Sequence, residues 1–331
     1  MKSSDRKAHP HPKEVIMGVL SQSDFVSGEV LAKQLGMTRP AVWKYITQLK
    51  DEGFSIESLQ GRGYRLKAVP DILYPDLIRQ EINTSHFGQA IFHFLRTDST
   101  NIQARSLAAD GALEGTLLVA EYQEKGKGRL NRLWQSPSGK NLLFSLILRP
   151  DWPPQQAFYG TVLTSVSLCK AIQEVTGIEV GIKWPNDIYA GEKKLAGILT
   201  EFTTDPDRIE YMIVGIGINC NWAPPKPPSE GQPATSLLKE TGHKISRLRL
   251  LTRFLKQAET LYEKANIEGV DLLREEWNRY SLVNNRRVTI SNNQKIWTGI
   301  GQGIDDLGAL ILRLDNGREE KFLAGDVHLR F

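Results

Sequence analysis

The sequence predicts an α+β protein of three domains, and three observations predict it. At 331 residues the chain is long for a single hydrophobic core. The excess of positive charge lies at one end. Residues 1–67 hold 11 Lys/Arg against 7 Asp/Glu, and the chain totals 42 against 38, so the remainder balances to zero. The apolar spacing also changes along the chain, from helical, through mixed, to period two after Arg287. We place the domains at 1–69, 70–276 and 277–331. With 40% hydrophobic and 24% charged residues, the composition is that of an ordinary soluble globular protein. The apolar run Leu142–Leu148 is far too short to cross a bilayer, and the start of the chain lacks the apolar core of a signal peptide. Two cysteines, Cys169 and Cys220, without zinc-type Cys/His spacing, fit a reduced compartment. A cytoplasmic protein with no membrane partner and no protein-only metal site is expected.

In the first domain, Pro12 to Leu20 reads as a short helix with Val15, Ile16, Val19 and Leu20 on its apolar side. Ser27 is an N-cap for a second helix, Gly28 to Leu35, which Gly36 ends. Thr38 caps a third, Arg39 to Glu52, with Pro40 tolerated in its first turn. Val42, Tyr45, Ile46 and Leu49 face inward there, and Gly53 stops the helix. Phe54 to Leu59, a Gln60–Gly63 turn and Tyr64–Leu66 then read as a hairpin. Three helices followed by a two-stranded hairpin resemble a winged helix-turn-helix. In such a domain the third helix enters the DNA major groove and the hairpin meets phosphates. By that resemblance Lys44, Thr47 and Gln48 are candidates for base edges, and Arg39, Lys50 and Arg62 for phosphate. The concentration of positive charge here favours a polyanionic partner.

The central domain is organised around Glu121–Arg132, where a short apolar strand, Gly115–Ala120, runs into alternating glycine and cation: Gly126, Lys127, Gly128, Arg129, then Arg132. Glycines there allow positive φ and a close approach to a ligand, and backbone N–H groups with basic side chains hold phosphate or carboxylate oxygens. The Gly-Lys-Ser/Thr ending of a Walker A loop is absent. Strand Ile91–Leu95 delivers Asp98-Ser99-Thr100-Asn101, where Ser99 suits a helix N-cap for Asn101–Ala109. Strand Asn141–Leu148 precedes a long helix, Gln155–Thr176, packing through Val162, Val166, Leu168, Cys169 and Ile172. Ile178–Lys183 is a strand whose last residue is aimed into a cleft by the rigid Trp184-Pro185 corner. Lys194–Glu201 and Arg208–Gly217 read as paired strands. Gly215-Ile216-Gly217 lacks the third glycine and following helix of a dinucleotide fingerprint, so its small residues let the strand approach a flat ligand. Residues 221–233 form a proline-rich loop, and Ser246–Trp277 reads as amphipathic helix. Beyond it, Val288/Ile290, Ile296/Thr298/Ile300 and Leu310/Leu312/Leu314 alternate between turn signals as in a small β-barrel.

Together, Glu121–Arg132, Lys183-Trp184-Pro185-Asn186-Asp187 with Lys194–Glu201, and Val214–Asn219 resemble, in order and spacing, the biotin protein ligases (biotin–[acetyl-CoA-carboxylase] ligases). The likeness runs from about Asp98 to the C-terminus, and Lys-Trp-Pro-Asn-Asp is its most specific part. With the first domain, the whole chain resembles the bifunctional type, in which the ligase is also the biotin operon repressor. The resemblance implies a mixed-sheet, class II synthetase-like central domain and an SH3-like C-terminal barrel. It implies that biotin and Mg-ATP give biotinyl-5′-AMP, and that biotin then passes to a lysine of a biotin carboxyl carrier protein. It also implies operator DNA as a partner and a homodimer when biotinyl-AMP is bound.

Carried over residue by residue, Ser99, Thr100, Asn101, Gln123, Gly126, Lys127, Arg129, Lys183, Gly215 and Gly217 bind biotin. Arg129, Arg132, Trp134, Asn186, Lys194 and Asn219 bind the nucleotide, and Lys183 and Arg129 are catalytic. Such cations neutralise two anions brought together, with Mg²⁺ arriving on the triphosphate. Arg330, in the Gly325–Arg330 motif, is a further candidate for nucleotide or acceptor. Lys127 and Asn131 depart from the Gly-Arg-Gly-Arg-Arg-Gly loop pattern of the family. Lysine keeps the charge without the bidentate fork, and Asn131 tolerates positive φ. Two other readings stay open: a lipoate-type ligase, and a ligand-responsive transcription factor without ligase activity.

Overall fold

A computed structural model describes residues 12–21, 23–51, 54–68, 71–225, 233–292 and 295–329. It divides into two compact units, Met1–Ile72 and Leu73–Phe331.

In the first unit, α1 (Pro12–Ser21), α2 (Gly28–Leu35) and α3 (Arg39–Asp51) precede an antiparallel hairpin of β1 (Ser55–Leu59) and β2 (Gly63–Ala68). Local signals set these bounds. Ser27 Oγ accepts from the Val30 N–H, and Gly36 at φ 62° closes α2 in the left-handed conformation that glycine adopts without penalty. Ile16, Leu20, Leu31, Val42, Ile46, Leu49 and Ile56 form its apolar interior. The hairpin is tied to the segment before α2 by paired backbone bonds between Val26 and Tyr64. Gly63 is required at that crossing: at φ 101°, a Cβ would stand 2.1 Å from the Val26 carbonyl oxygen.

The second unit is built on a seven-stranded sheet in the order β3-β4-β5-β9-β8-β7-β6. Its strands are β3 (Ile91–Phe94), β4 (Leu117–Ala120), β5 (Leu142–Leu148), β6 (Gly181–Lys183), β7 (Asp187–Ala190), β8 (Lys193–Thr204) and β9 (Ile209–Ile218). Only the β3–β4 pair is parallel, so the sheet is mixed. Asp187–Ala190, which had no strand expectation, pairs with both β6 and β8.

The two faces follow from strand alternation. Leu117, Val119, Leu146, Val214 and Ile216 join the main core with α6 (Tyr159–Thr176), α8 (Arg247–Glu268) and α9 (Asp271–Tyr280). Leu118, Ile147 and Ile213 point the other way, onto Ala104 and Ala108 of α5 (Thr100–Ala109). A short helix, α4 (Pro75–Glu81), leads in, and α7 (Leu237–Thr241) follows β9. The amphipathic stretch from Ser246 is two helices rather than one, because Gly269 at φ 90° breaks it after Glu268. The long central helix starts at Tyr159, after a 3-10 turn over Pro154–Gln156.

At the end of the chain, β10 (Arg287–Asn292), β11 (Lys295–Ile304), β12 (Leu310–Leu314), β13 (Glu319–Phe322) and β14 (Asp326–Leu329) form an antiparallel sheet. Its order is β13-β12-β11-β10-β14, open among the described residues. Val288, Ile290, Leu310, Leu312 and Val327 of this sheet belong to the same apolar core as the central helices. No helix among the described residues is long and apolar enough to cross a membrane.

Candidate functional site

On the α5 face, the sheet runs out of side chains where β5, β8 and β9 meet. Gly197 of β8 is the register partner of Gly217 of β9, and Gly215 lies between Leu199 and Ser145. This gap floors a cavity of about 260 Å³. Its wall includes every predicted biotin and nucleotide residue except Gly126. Gly126 is packed against two wall residues, since a Cβ there would crowd Gln123 Nε2 and the Trp134 carbonyl, both at 3.3 Å.

One end is polar and pre-ordered. Thr100, at the start of α5, donates its backbone N–H to Gln123 Oε1 at 2.7 Å. Ser145 Oγ lies 2.7 Å from both Thr100 Oγ1 and Asn101 Oδ1. Asn101 Nδ2 donates to Glu201 Oε2 at 2.8 Å and to the Leu199 carbonyl at 3.3 Å. Glu201 in turn pairs with Arg105. Ser99 occupies the N-cap position of α5 without making a side-chain cap bond. Ser145 and Glu201 were not among the expected site residues, although Glu201 ends the Lys194–Glu201 motif and a lone serine within apolar Leu142–Leu148 was a visible signal.

The floor beneath the other end carries an indole. A Cβ on Gly217 would stand 2.5 Å from Trp134 Cε2, and one on Gly197 would stand 3.2 Å from Trp134 Cζ3. These glycines therefore make room for Trp134, rather than for a bare strand against a ligand as the sequence led us to expect. Lys194 Nζ sits 5.8 Å from the Trp134 ring and 2.7 Å from Asp187 Oδ1.

The glycine–cation loop is a narrow hairpin. The Gly128 N–H bonds the Arg132 carbonyl at 2.7 Å, and the Trp134 N–H bonds the Gly126 carbonyl at 2.9 Å. Its left-handed residues are Leu130 at φ 55° and Asn131 at φ 57°, whereas Gly128 is at φ −101°. The glycines thus provide thinness, and the turn is made by Leu130 and Asn131, a conformation that costs a leucine about 1–2 kcal/mol. Lys127 Nζ approaches Asn131 Oδ1, and Arg129 Nη1 approaches Asn186 Oδ1, each at 3.4 Å.

Opposite the loop, Lys183 is 8% exposed and its Nζ donates to the Tyr189 hydroxyl at 3.3 Å. Burial pushes the Tyr189 hydroxyl up, so it remains a neutral acceptor. The corner after Lys183 is fixed by buried Trp184, whose Nε1 donates to the Gly308 carbonyl at 3.2 Å. Asn186 Nδ2 donates to the Ile198 carbonyl at 2.7 Å. Asn219 is buried, donating to the Thr235 carbonyl and accepting from Asn141 Nδ2. Val327 and His328 of the C-terminal motif reach the wall. Arg330 lies outside the described residues, as do 226–232 of the proline-rich loop.

Five cations line the cavity, Lys127, Arg129, Arg132, Lys183 and Lys194, against one carboxylate, Asp187, among the described residues. Such a wall suits a polyanion carried by a flat ring and a smaller polar ligand.

In the first unit, Arg39, Lys44 and Lys50 are exposed on α3, and Thr47 and Gln48 half-exposed. Trp43 stands among them, 61% exposed. Lys50 Nζ reaches Ser58 Oγ of the hairpin at 2.9 Å. The Arg62 guanidinium stacks 4.5 Å from the Phe25 ring, with Arg65 4.6 Å from the same ring. Helix and hairpin thus meet at Lys50, while Asp24 lies by both hairpin arginines and Glu57 pairs with Arg65.

Comparison with known proteins agrees along the chain. Residues 93–219 match the Biotin/lipoate A/B protein ligase family, residues 13–65 an HTH domain, and residues 284–330 the Biotin protein ligase C terminal domain. The bifunctional ligase/repressor BirA of Bacillus subtilis is 38% identical over 311 residues, covering 93% of this chain and 94% of that protein. Its Escherichia coli namesake is 30% identical, covering 95% and 96%. The biotin protein ligase from Aquifex aeolicus, solved with biotin and ATP, superposes with a TM-score of 0.61 at 29% identity, over 73% of this chain and 99% of that one. The chain belongs to the biotin protein ligase family, among its bifunctional ligase/repressor members.

Proposed function

We propose that this chain condenses biotin with ATP to biotinyl-5′-AMP and transfers the biotin to a carrier-protein lysine. We propose further that, with the adenylate bound, it represses biotin-synthesis genes by binding operator DNA. The observation that carries the reading is that a pre-ordered hydroxyl–amide end and a wall of five cations share one cavity.

At the polar end, Ser99, Thr100, Asn101 and Gln123 suit a buried ureido group, which needs both donors and acceptors. The biotin carboxylate then lies toward Lys183 and Arg129, and attacks the α-phosphorus as pyrophosphate leaves. Lys127, Arg129, Arg132 and Lys183 offset the charge that gathers there. Trp134, Asn186, Lys194 and Asn219 take the nucleotide, with Gly215 and Gly217 supplying the floor. Mg²⁺ would enter on the triphosphate and neutralise its oxygens. Among the described residues no three His, Cys, Asp or Glu side chains are grouped to hold a metal ion. The acceptor is a biotin carboxyl carrier protein, whose lysine amine displaces AMP.

On the DNA side, α3 enters the major groove with Lys44, Thr47 and Gln48, while Arg39, Lys50 and Arg62 meet phosphates. We divide the chain into functional domains at 1–69, 70–276 and 277–331 and take the last as an SH3-like barrel. For the homodimer, side-by-side pairing of strands near Lys194–Thr200 is the expected contact. Lys193–Gly197 are already paired with β7, so the edge left for it begins at Leu199, and from there on β8 pairs with β9 alone among the described residues.

The test is recovery of genomic DNA fragments by the purified protein with no ligand, biotin, biotin plus Mg-ATP, or lipoate plus Mg-ATP. Adenylate is measured by mass spectrometry and particle size by sedimentation. Biotinyl-AMP, dimer and specific fragments should appear together, only with biotin and Mg-ATP. Lipoyl-AMP would replace biotin by lipoate. Absence of any adenylate would remove the ligase, and adenylate without DNA enrichment would remove the repressor.

A further inference from the structure

Arg247 lies outside every motif, at the first turn of α8, and its side chain is fully buried. Two penalties attach to that position. A guanidinium loses its hydration there, and a cation stands at the positive end of a helix dipole. What offsets them is specific. Arg247 Nη1 donates to Glu121 Oε2 at 2.9 Å and to the Asn141 carbonyl at 3.0 Å. Glu121 directly follows β4, and Asn141 directly precedes β5. Between them runs the segment carrying Gln123, Lys127, Arg129, Arg132 and Trp134.

Other bonds converge on the same base. The Gly139 N–H bonds the Glu121 carbonyl at 3.1 Å, and Glu121 Oε1 accepts from the Leu73 N–H at 2.8 Å. His93 Nε2 lies 3.4 Å from that oxygen. On the far side, Asn141 Nδ2 donates to Asn219 Oδ1 at 3.3 Å. Arg247, Glu121 and Asn141 do not line the cavity.

We propose that Arg247, through Glu121, is a positioning residue that clasps both ends of the glycine–cation loop and so sets its register over the cavity. A loop fixed at its base has fewer conformations to lose when its tip orders on a ligand. Neutral side chains of similar volume fill the same buried space but lack the charged donor that bonds both ends. The kinetic consequences rest on the adenylating function proposed above, whereas the mechanical consequence does not.

The experiment uses the full chain and three variants: Arg247→Lys, Arg247→Met, and the double Glu121→Gln/Arg247→Met. The double variant is the decisive one, because it leaves no unpaired buried carboxylate and so keeps the fold. Trypsin cleavage after Lys125, Lys127, Arg129 and Arg132 is timed in the unliganded protein at a temperature well below melting. KM for biotin, kcat for adenylation and the release rate of the adenylate are measured alongside. The folded double variant should show loop cleavage and adenylate release faster by about tenfold to a hundredfold, with KM raised more than kcat falls. Arg247→Lys should recover part of both effects by restoring one charged donor. Parental loop cleavage in a double variant with a cooperative melt would overturn the proposal. So would parental KM and adenylate release. If the parent forms no adenylate, the proposed function fails, and the trypsin result decides the clasp alone.

Discussion

Replacing Gly215 by alanine tests the polar end of the cavity. The new Cβ would stand 2.0 Å from Asn101 Oδ1 and 2.7 Å from its Cγ, where ordinary contact begins near 3.4 Å. Asn101 cannot retreat freely. Its amide is held by Ser145, Glu201 and the Leu199 carbonyl, and its helix is packed on the sheet. Overpacking of a filled interior costs about 1–3 kcal/mol. A strained or lost hydrogen bond adds about 1 kcal/mol, and somewhat more when the partner is charged, as Glu201 is. The sum is about 2–5 kcal/mol, borne partly by the fold and partly by the ligand site. We expect the share borne by the fold, about 1–2 kcal/mol, to lower melting by roughly 2–8 °C. We expect biotin affinity to fall by about a hundredfold, equivalent to nearly 3 kcal/mol.

Gly217→Ala is the control. Its Cβ would stand 2.5 Å from Trp134 Cε2 rather than against Asn101, so it displaces the indole and leaves the polar end untouched. That variant should keep biotin affinity within a few-fold and lose nucleotide affinity instead. Calorimetric titration with biotin and a thermal melt decide the matter. Parental affinity in Gly215→Ala, or the opposite ranking of the two variants, would refute the assignment of Asn101 to the biotin end.

Lys183→Ala should lower the rate of adenylation by roughly 10²–10³-fold while the protein stays folded, as removal of a preorganised charge from a polyanion site does. Near-parental turnover in a pyrophosphate-release assay would sink the catalytic role proposed for it. Gln48→Ala should cost about 1–3 kcal/mol on a specific operator and little on random DNA, whereas Arg62→Ala should weaken both and lower the salt slope by about one. Binding isotherms across a salt series would expose the reverse pattern. Burial pushes the Glu121 carboxyl up, but His93, Arg247 and the Leu73 N–H outweigh it and hold the group below its ordinary value of 4.5. The pair's contribution to stability is therefore full above that pH and declines as pH falls through the lowered value. The melting difference between parent and Glu121→Gln/Arg247→Met should shrink as pH is lowered from about 7 to about 3.5. A difference that stays constant would contradict the ion pair.

The local features were legible from residues alone, because their causes act over a few positions. Ser27 and Gly36 bound α2 through bonds spanning a turn of helix, and period-two alternation assigned the C-terminal strands. The family motifs put Lys183, Arg129 and Asn101 among the site candidates before any contact was known. Three kinds of fact were decided only by the tertiary structure. Gly197 and Gly217 form one shelf because register across β8 and β9 sets them opposite each other, and Trp134 fills it from a distant loop. Asp187–Ala190 became a strand because β6 and β8 offered it partners on both sides, which no short polar-to-apolar run declares by itself. The Glu121–Arg247 pair joins residues 126 positions apart in the chain, with neither residue in a periodic pattern that marks it. Caps, turns and alternation are local interactions, so they are written along the chain. The clasp and the shelf arise from chain segments that meet only when the sheet closes around its core.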